Sequence, residues 1–172
     1  MDYIISIAIG LATSFLGGIL FLLFFLKQLV PKIVISEHIS KVKREGKTSY
    51  EFKFVNHTKS GIFDVRIEPV FYKPYGDIEG MNLKSTDIKL VDNFISSISK
   101  KSKIDKNNMH AQRVSTLDNL EAKWTDKSSF IKLTIISKHS LSGLNRVYSK
   151  EFYSVDCITK KQFVSGDSLK IV

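Results

Sequence analysis

The residues best suited to catalysis or metal binding are scattered along this chain. Its four histidines, His38, His57, His110 and His139, have no metal-ligating neighbour at helical spacing. No His-Glu-x-x-His, Gly-x-Ser-x-Gly or phosphate-binding glycine loop occurs. The lone cysteine, Cys157, follows a strand-like run, which favours a structural thiol over a nucleophile. These patterns predict neither a metal site nor nucleophilic catalysis.

One pair of carboxylates has a spacing that acid–base chemistry could use. Asp64 and Glu68 lie four residues apart on a strand-like run, so both are expected on one face. Lys53 and Arg66 are expected nearby as charge partners, which favours ion pairing over catalysis. With no catalytic constellation in view, we predict that the protein is not an enzyme and needs no cofactor.

The excess of basic residues requires another explanation. Lysine and arginine total 26 against 17 acidic residues, a formal net charge of +9. Two clusters stand out: Lys41, Lys43 and Arg44, and Lys100, Lys101 and Lys103. One interpretation is that they satisfy membrane topology and attract anionic lipid. The other is an anion site for a nucleotide or short nucleic acid, with Tyr72 or Tyr75 stacking on a base.

An uncharged apolar run near the N-terminus predicts a membrane span. Residues 3–26 carry no charged side chain, and about 20 residues suffice to cross a bilayer. Asp2 is the only early charge and no small-residue cleavage pattern follows, so a retained helix is favoured over a signal peptide. Basic residues follow the span, which predicts a cytosolic C-terminal part. We expect a transmembrane helix with a short extracytoplasmic end over residues 1–30 and a cytosolic domain over 31–172.

Small residues recur at four-residue intervals within that span. Gly10, Ser14 and Gly18 are expected on one stripe of the helix. Such a stripe lets helix backbones approach closely, and packing must drive association where lipid offers no hydrophobic gain. The stripe therefore predicts self-association, although small residues are also common in membrane helices in general.

Beyond Pro31 the apolar residues alternate with a period of two, which is typical of half-buried strands. Strands are expected over residues 33–39, 50–55, 62–72, 87–91, 113–117, 130–137, 146–155 and 168–172. Short strands at this spacing favour a β-sandwich or barrel. Residues 96–112 are polar and basic and are expected to form a surface excursion.

Two hairpins are expected within this domain. One joins residues 130–137 to 146–155; the other joins 50–55 to 62–72 through the turn-like residues 56–61. In the latter, apolar pairs would share one face and opposite charges the other. The expected pairs are Val55–Ile62, Phe54–Phe63, Phe52–Val65, Lys53–Asp64 and Glu51–Arg66.

The strand pattern resembles the cytosolic domain of inward-rectifier potassium channels. The matching features are Phe52-Lys53-Phe54-Val55-Asn56, a turn and residues 62–67, then residues 130–137 followed by Tyr153, Ile158 and Phe163. The resemblance implies an immunoglobulin-like β-sandwich, preceded here by one transmembrane helix, that assembles as a ring, usually of four. Those channels have two transmembrane helices and a TVGYG filter, whereas this sequence has one span and no such filter, so potassium selectivity is not implied.

One span joined to such a domain is also similar to membrane effectors of bacterial anti-phage systems. Effectors of the Hailong type, held closed by a DNA oligomer, are one example among several. This resemblance implies a homo-oligomeric pore in the bacterial inner membrane, a nucleotide or short DNA or RNA ligand, and a nucleotide-synthesising partner protein. The alternative is a membrane-anchored binding or adaptor module with no conductance.

Overall fold

The computed structural model describes residues 2–44, 46–77, 80–124 and 126–172. It begins with the helix α1 (Asp2–Gln28). Residues Tyr3–Gln28 have a mean hydropathy of 2.3 and none of this stretch is buried against the rest of the chain. At about 1.5 Å per residue, the helix exceeds the roughly 30 Å of a bilayer core. It is long and apolar enough to span a membrane, as expected.

The remainder of the chain is mainly β-structure in two five-stranded sheets. In the first sheet, β3 is central: β1 and β2 pair with successive parts of one edge and β7 pairs with the other. The short β10 runs parallel to β2. The strands are β1 (Ile33–Ile35), β2 (Ile39–Arg44), β3 (Lys47–Asn56), β7 (Ala111–Thr116) and β10 (Ile158–Thr159).

The second sheet is built around the long strand β4. Strands β6 and β5 follow one another along one edge of β4, β8 pairs with the other edge, and β9 pairs with β8. The strands are β4 (Ile62–Asp77), β5 (Gly80–Asp87), β6 (Phe94–Ile98), β8 (Phe130–His139) and β9 (Asn145–Phe152). A single helical turn, α2 (Leu120–Lys123), and a 3₁₀ turn, Val155–Cys157, complete the fold.

The two sheets pack face to face around one apolar core. Phe52 of β3 and Phe152 of β9 meet across the interface with ring centroids 6.0 Å apart. Phe71 of β4 packs edge-on against Trp124, whose indole N–H donates to the Ser129 carbonyl. The burial of alternate residues on both sheets confirms the expected β-sandwich.

The expected hairpin between residues 50–55 and 62–72 is wrong, because β3 and β4 belong to different sheets. Every strand of a sandwich turns one apolar face toward the core, so alternation alone cannot tell two paired strands from two strands that face each other. The charged pairs expected from that hairpin, Lys53–Asp64 and Glu51–Arg66, are therefore wrong as well. Asp64 adopts a left-handed φ of 53° beside a break in register and pairs with Lys138 at 2.6 Å. Glu51 lies beside Arg113 at 3.8 Å.

Other strand expectations were met unevenly. The hairpin of β8 and β9 is confirmed. The strand expected over 87–91 does not form, because β5 ends at Asp87 and Leu90 makes only an isolated bridge to Thr116. The excursion expected over 96–112 is shorter than expected, because residues 96–98 belong to β6 and residues 111–112 to β7. In place of a terminal strand, residues 162–172 fold back on themselves through one bridge, Phe163 to Ile171, and backbone bonds between Gln162 and Val172. These short edge segments carry little alternation, so their pairing depends on neighbours distant in sequence.

Candidate functional site

The segment that joins the helix to the sandwich is hydrogen-bonded to the sandwich at Leu29, Pro31 and Lys32. Ser142 Oγ donates to the Leu29 carbonyl at 2.5 Å, and the Tyr148 hydroxyl donates to the Pro31 carbonyl. Lys32 contributes both its backbone groups: its N–H donates to Thr58 Oγ1 at 2.8 Å and its carbonyl accepts from the His57 N–H at 2.7 Å. We call this set of bonds the junction clamp. It ties the end of α1 to the β3–β4 connection, to the β8–β9 turn and to β9.

His139 lies next to the turn that carries Ser142 of the junction clamp, and it is 1% exposed. Its Nδ1 accepts from the N–H groups of Leu141 and Ser142 at 3.3 Å, so the neutral ring carries its proton on Nε2, which faces Ser60 Oγ at 2.7 Å. Burial lowers the pKa of His139 below its ordinary value. The turn that holds Leu29 is thus built on a neutral histidine.

The second basic cluster lies next to this junction, although it is distant from the helix in sequence. Lys100 lines an open groove of about 790 Å³ together with Lys59, Ser60 and Leu141. Lys59, Ser60 and Leu141 also line a gap of about 390 Å³ with Phe24 and two further residues of the helix end, Gln28 and Leu29. The loop of residues 99–109 therefore sits at the end of the sandwich from which the helix emerges, which we call the proximal end.

Within that cluster the three lysines differ in their surroundings. Lys100 and Lys103 are exposed. Lys101 pairs with Asp167, and this ion pair holds the pKa of the Asp167 carboxyl below its usual range. The cluster thus presents two open cations and one that is engaged with the C-terminal segment.

The first basic cluster lies at the opposite end, although it is close to the helix in sequence. Strand β3 has ten residues, and its last residue, Asn56, is at the proximal end. The turn between β2 and β3 is therefore about 30 Å away. Lys43, opposite Thr48 in this hairpin, is exposed. The two clusters cannot form one site, and we call the end with Lys43 the distal end.

Lys41 is already engaged by its own domain. Its ammonium pairs with Glu121 and lies 5.8 Å from the centre of the Tyr50 ring. The hydrogen bond to Glu121 raises the pKa of Lys41. Lys41 therefore fits a structural role better than ligand binding, while the side chain of Arg44 lies outside the described part of the chain. Lys43 and the neighbouring exposed Lys47 remain available at this end.

The two tyrosines expected to stack on a base also lie toward the distal end. Tyr72 stacks on Phe130 with centroids 5.2 Å apart, and Phe130 contacts Tyr153 in turn. Tyr75 is exposed on the hairpin of β4 and β5. Only Tyr75 presents an open ring, and it lies on the second sheet whereas Lys43 lies on the first.

The small-residue stripe has open space beside it. Side-chain carbons added at Gly10 or Gly18 would meet no atom of the chain within 4 Å, and Ser14 is exposed. Packing within the chain therefore does not require these small residues, and the room beside them is open to another helix.

A buried cluster of charged side chains was not predicted from the sequence. Lys53 is 1% exposed and donates to the carbonyls of Val164 and Ser168 at 2.7 and 2.6 Å. Arg113 donates to the Phe163 and Val164 carbonyls at 3.0 and 3.1 Å. Burial and the neighbouring Arg113 lower the pKa of Lys53. The only signal in the sequence was a lysine on the face of β3 that alternates with Phe52 and Phe54.

The residues weighed for catalysis remain apart. Asp64 pairs with Lys138, whose hydrogen bond lowers the pKa of the carboxyl, and Glu68 is exposed farther along β4. Cys157 is half-buried and packs against the core. Within the described residues, no group of three histidine, cysteine or acidic side chains could hold a metal ion.

The architecture defines a β-sandwich domain joined firmly to one helix that is long and apolar enough to cross a membrane. No protein-family model matches the chain, and no curated protein matches it in sequence. Any assignment of function therefore depends on the geometry described above.

Proposed function

We propose that this chain is a single-pass membrane effector that assembles with copies of itself into a pore. The β-sandwich, on the cytosolic side, would bind a nucleotide or short oligonucleotide and set whether the pore is open. The observation that carries the proposal is the junction clamp, which includes the bonds to Leu29 and to Pro31. A helix that serves only as an anchor needs no such attachment.

The clamp supports gating because a conformational change passes through rigid connections. A ligand shifts the equilibrium between two conformations only if its affinity for them differs. A flexible linker would not transmit the resulting change in the sandwich to the helix. Here the connection is hydrogen-bonded to both sheets, through Thr58 after β3 and Tyr148 on β9. A change in how the sheets sit would therefore move the end of the helix.

Assembly is supported by the exposed helix and its stripe at Gly10, Ser14 and Gly18. One helix cannot enclose a pore, so conduction needs several copies. The resemblance to inward-rectifier cytosolic domains favours four, and the resemblance to anti-phage effectors favours a role in defence at a bacterial inner membrane, with a nucleotide-synthesising partner.

The ligand is expected at the distal end. Lys43 and Lys47 are exposed there, about 30 Å from the helix, where a soluble anion reaches them without competing with lipid. Lysines bind phosphate as point charges, and a single-stranded oligonucleotide presents several phosphates in a row.

Conductance is the first test. The purified chain, reconstituted in liposomes, should pass ions, and the flux should change when an oligonucleotide is added. Flux that is absent both with and without the oligonucleotide would support the anchored adaptor instead. A monomer in detergent would overturn the pore.

Helix packing is tested by Gly10→Leu and Gly18→Leu, which should weaken assembly because they push neighbouring helices apart. Ala12→Leu is the matched control, because it makes the same kind of change on the side of the helix opposite the stripe, at about 100° of rotation per residue. If the β-sandwiches alone hold the ring, the glycine variants should keep their size but lose flux. Equal effects at all three positions would place the contact on another face.

The ligand site is tested by charge reversal at Lys43 and Lys47. Oligonucleotide binding should be lost, and for the unaltered chain it should weaken steeply with salt, with a log–log slope of about −0.7 per neutralised phosphate. Reversal of Lys100 and Lys103 is the control at the proximal end. If binding is lost only in this control, the ligand site lies at the proximal end instead.

A further inference from the structure

The two most exposed large apolar side chains outside the helix lie at the same end of the described sandwich. Ile104 is 89% exposed and Leu141 is 76% exposed, and both line the open groove of about 790 Å³. Met109, 56% exposed, lines it as well. Leu141 belongs to the β8–β9 turn, whereas Ile104 and Met109 belong to the loop after β6. Apolar side chains from separate loops converge on one surface, which is unusual for a face turned to water.

Cationic and hydroxyl groups surround these apolar residues, together with one carboxylate, Asp105. Lys59 and Lys100 line the same groove, and Lys103 is exposed between two of its lining residues, Ser102 and Ile104. Ser60 and Ser99 add further polar groups. Ammonium groups and hydroxyls beside exposed apolar tips are the combination that suits the headgroup region of an anionic bilayer.

The helix determines which way this surface turns. Leu141 lines a gap together with Phe24, Gln28 and Leu29. Phe24 lies four residues, about 6 Å of helix, before Gln28. Leu141 therefore reaches the level of the last apolar turn of α1. A bilayer that surrounds α1 would meet the turn that carries Leu141 and the groove beside it.

We propose that this surface, which we call the proximal face (Lys59, Lys100, Lys103, Ile104 and Leu141), docks on the surface of an anionic bilayer. The proposal rests on α1 spanning the membrane, as in the proposed function, but not on a pore or a ligand. Ile104 and Leu141 enter the interface, while the three lysines lie at lipid phosphates. The contact holds the sandwich against the membrane in one orientation. It also restrains the junction clamp further when anionic lipid is present.

The test uses the full chain in nanodiscs, with environment-sensitive probes on single cysteines in a Cys157→Ser background. Probes at Ile104→Cys and Leu141→Cys should be quenched by nitroxide-labelled lipid in discs that contain phosphatidylglycerol, and much less in discs of phosphatidylcholine alone. A probe at Leu83→Cys, exposed at the distal end on β5, is the matched control and should remain unquenched.

Removing the charge should weaken the contact. The triple change of Lys59, Lys100 and Lys103 to Gln should lower the apparent affinity of the face for anionic lipid about a hundredfold, at about fivefold per lysine. Added salt should also lower the apparent affinity for anionic lipid, because the charges of these exposed side chains are screened by ions in solution. All three lysines are on the surface, so an unchanged unfolding midpoint would show that the fold survives.

Three outcomes separate this proposal from the proposed function. Quenching at Phe15→Cys in the helix without quenching at residues 104 and 141 overturns the docking alone. Absence of quenching at Phe15→Cys overturns both the span and the docking. Displacement of the two loop probes from the lipid by an added oligonucleotide, in anionic discs, would show that the face binds nucleic acid instead and overturns the docking.

Discussion

Ser142 Oγ donates a 2.5 Å hydrogen bond to the carbonyl of Leu29, the first residue after α1. The N–H of Leu29 still donates to the Phe25 carbonyl, so Leu29 belongs to the last helical turn. The final carbonyls of a helix have no partner within the helix. A turn 113 residues away in sequence supplies one here, which makes the end of the helix a part of the sandwich.

Loss of this bond should loosen the junction without unfolding the domain. Ser142→Ala removes the bond to Leu29 and the bond that Ser142 Oγ accepts from the Leu144 N–H, each worth about 1 kcal/mol. Hydrogen exchange of the backbone amides of residues 29, 30, 32 and 33 should become faster, while the amides of β8 keep their protection. Ser128→Ala is the control, because the Ser128 hydroxyl donates to Asp126 within its own turn, away from the junction. Equal exchange in both variants would mean that Ser142 carries no part of the junction.

His139 should make the domain sensitive to acid. Because burial lowers the pKa of the folded histidine below 6.5, the unfolded chain takes up the proton first as the pH falls. The stability contributed by neutral His139 is fully present above about pH 6.5 and is lost as the pH falls through that value toward the folded pKa. Protonated Nδ1 could no longer accept from the N–H groups of Leu141 and Ser142.

The measurement compares urea unfolding of the chain and of His139→Asn between pH 8 and pH 5. The amide oxygen of asparagine can replace Nδ1 as acceptor but does not titrate, so the difference between the two curves should shrink on the acid side. His57→Gln, at an exposed histidine, is the control. A constant difference at every pH would contradict the role of His139.

Lys53 should hold the C-terminal segment to the first sheet. Lys53→Met leaves the carbonyls of Val164 and Ser168 without their ammonium donor, at a cost of about 2 kcal/mol for bonds to a charged group. Residues 162–172 should become sensitive to protease while the β-strands stay protected. Lys43→Met, at an exposed lysine, is the control. An intact C-terminus in both variants would show that Arg113 suffices.

The contact between Phe52 and Phe152 should couple the two sheets. Either residue changed to Ala should cost about 3–5 kcal/mol, because both are about 1% exposed and leave a cavity. A double-mutant cycle should give a coupling of about 1 kcal/mol for rings at 6.0 Å. Phe94→Ala, at a half-exposed ring, should cost much less. A coupling near zero would mean that the rings are not in contact.

The elements with strong local patterns were predictable from the sequence. An uncharged run such as residues 3–26 specifies a helix by its own length and hydropathy, and the hairpin of β8 and β9 follows from two alternating runs around one turn. The spacing of Gly10, Ser14 and Gly18 likewise specifies a stripe on the helix, although not what contacts it. In each case the information lies within a few turns of chain.

Which residues distant in sequence lie close together was decided only by the tertiary structure. Lys43 is 16 residues beyond Lys27 in sequence but lies at the distal end, whereas Lys100 lies beside the end of the helix. The reason is that β1 and β2 carry the chain away from the helix to the far end of the sandwich before β3 brings it back. Lys53 was expected to pair with Asp64, but it binds carbonyls of the C-terminal segment instead. The alternation of apolar and polar residues indicates which side of a strand faces the core. Which strands pair with it in the sheet depends on the packing of the whole core.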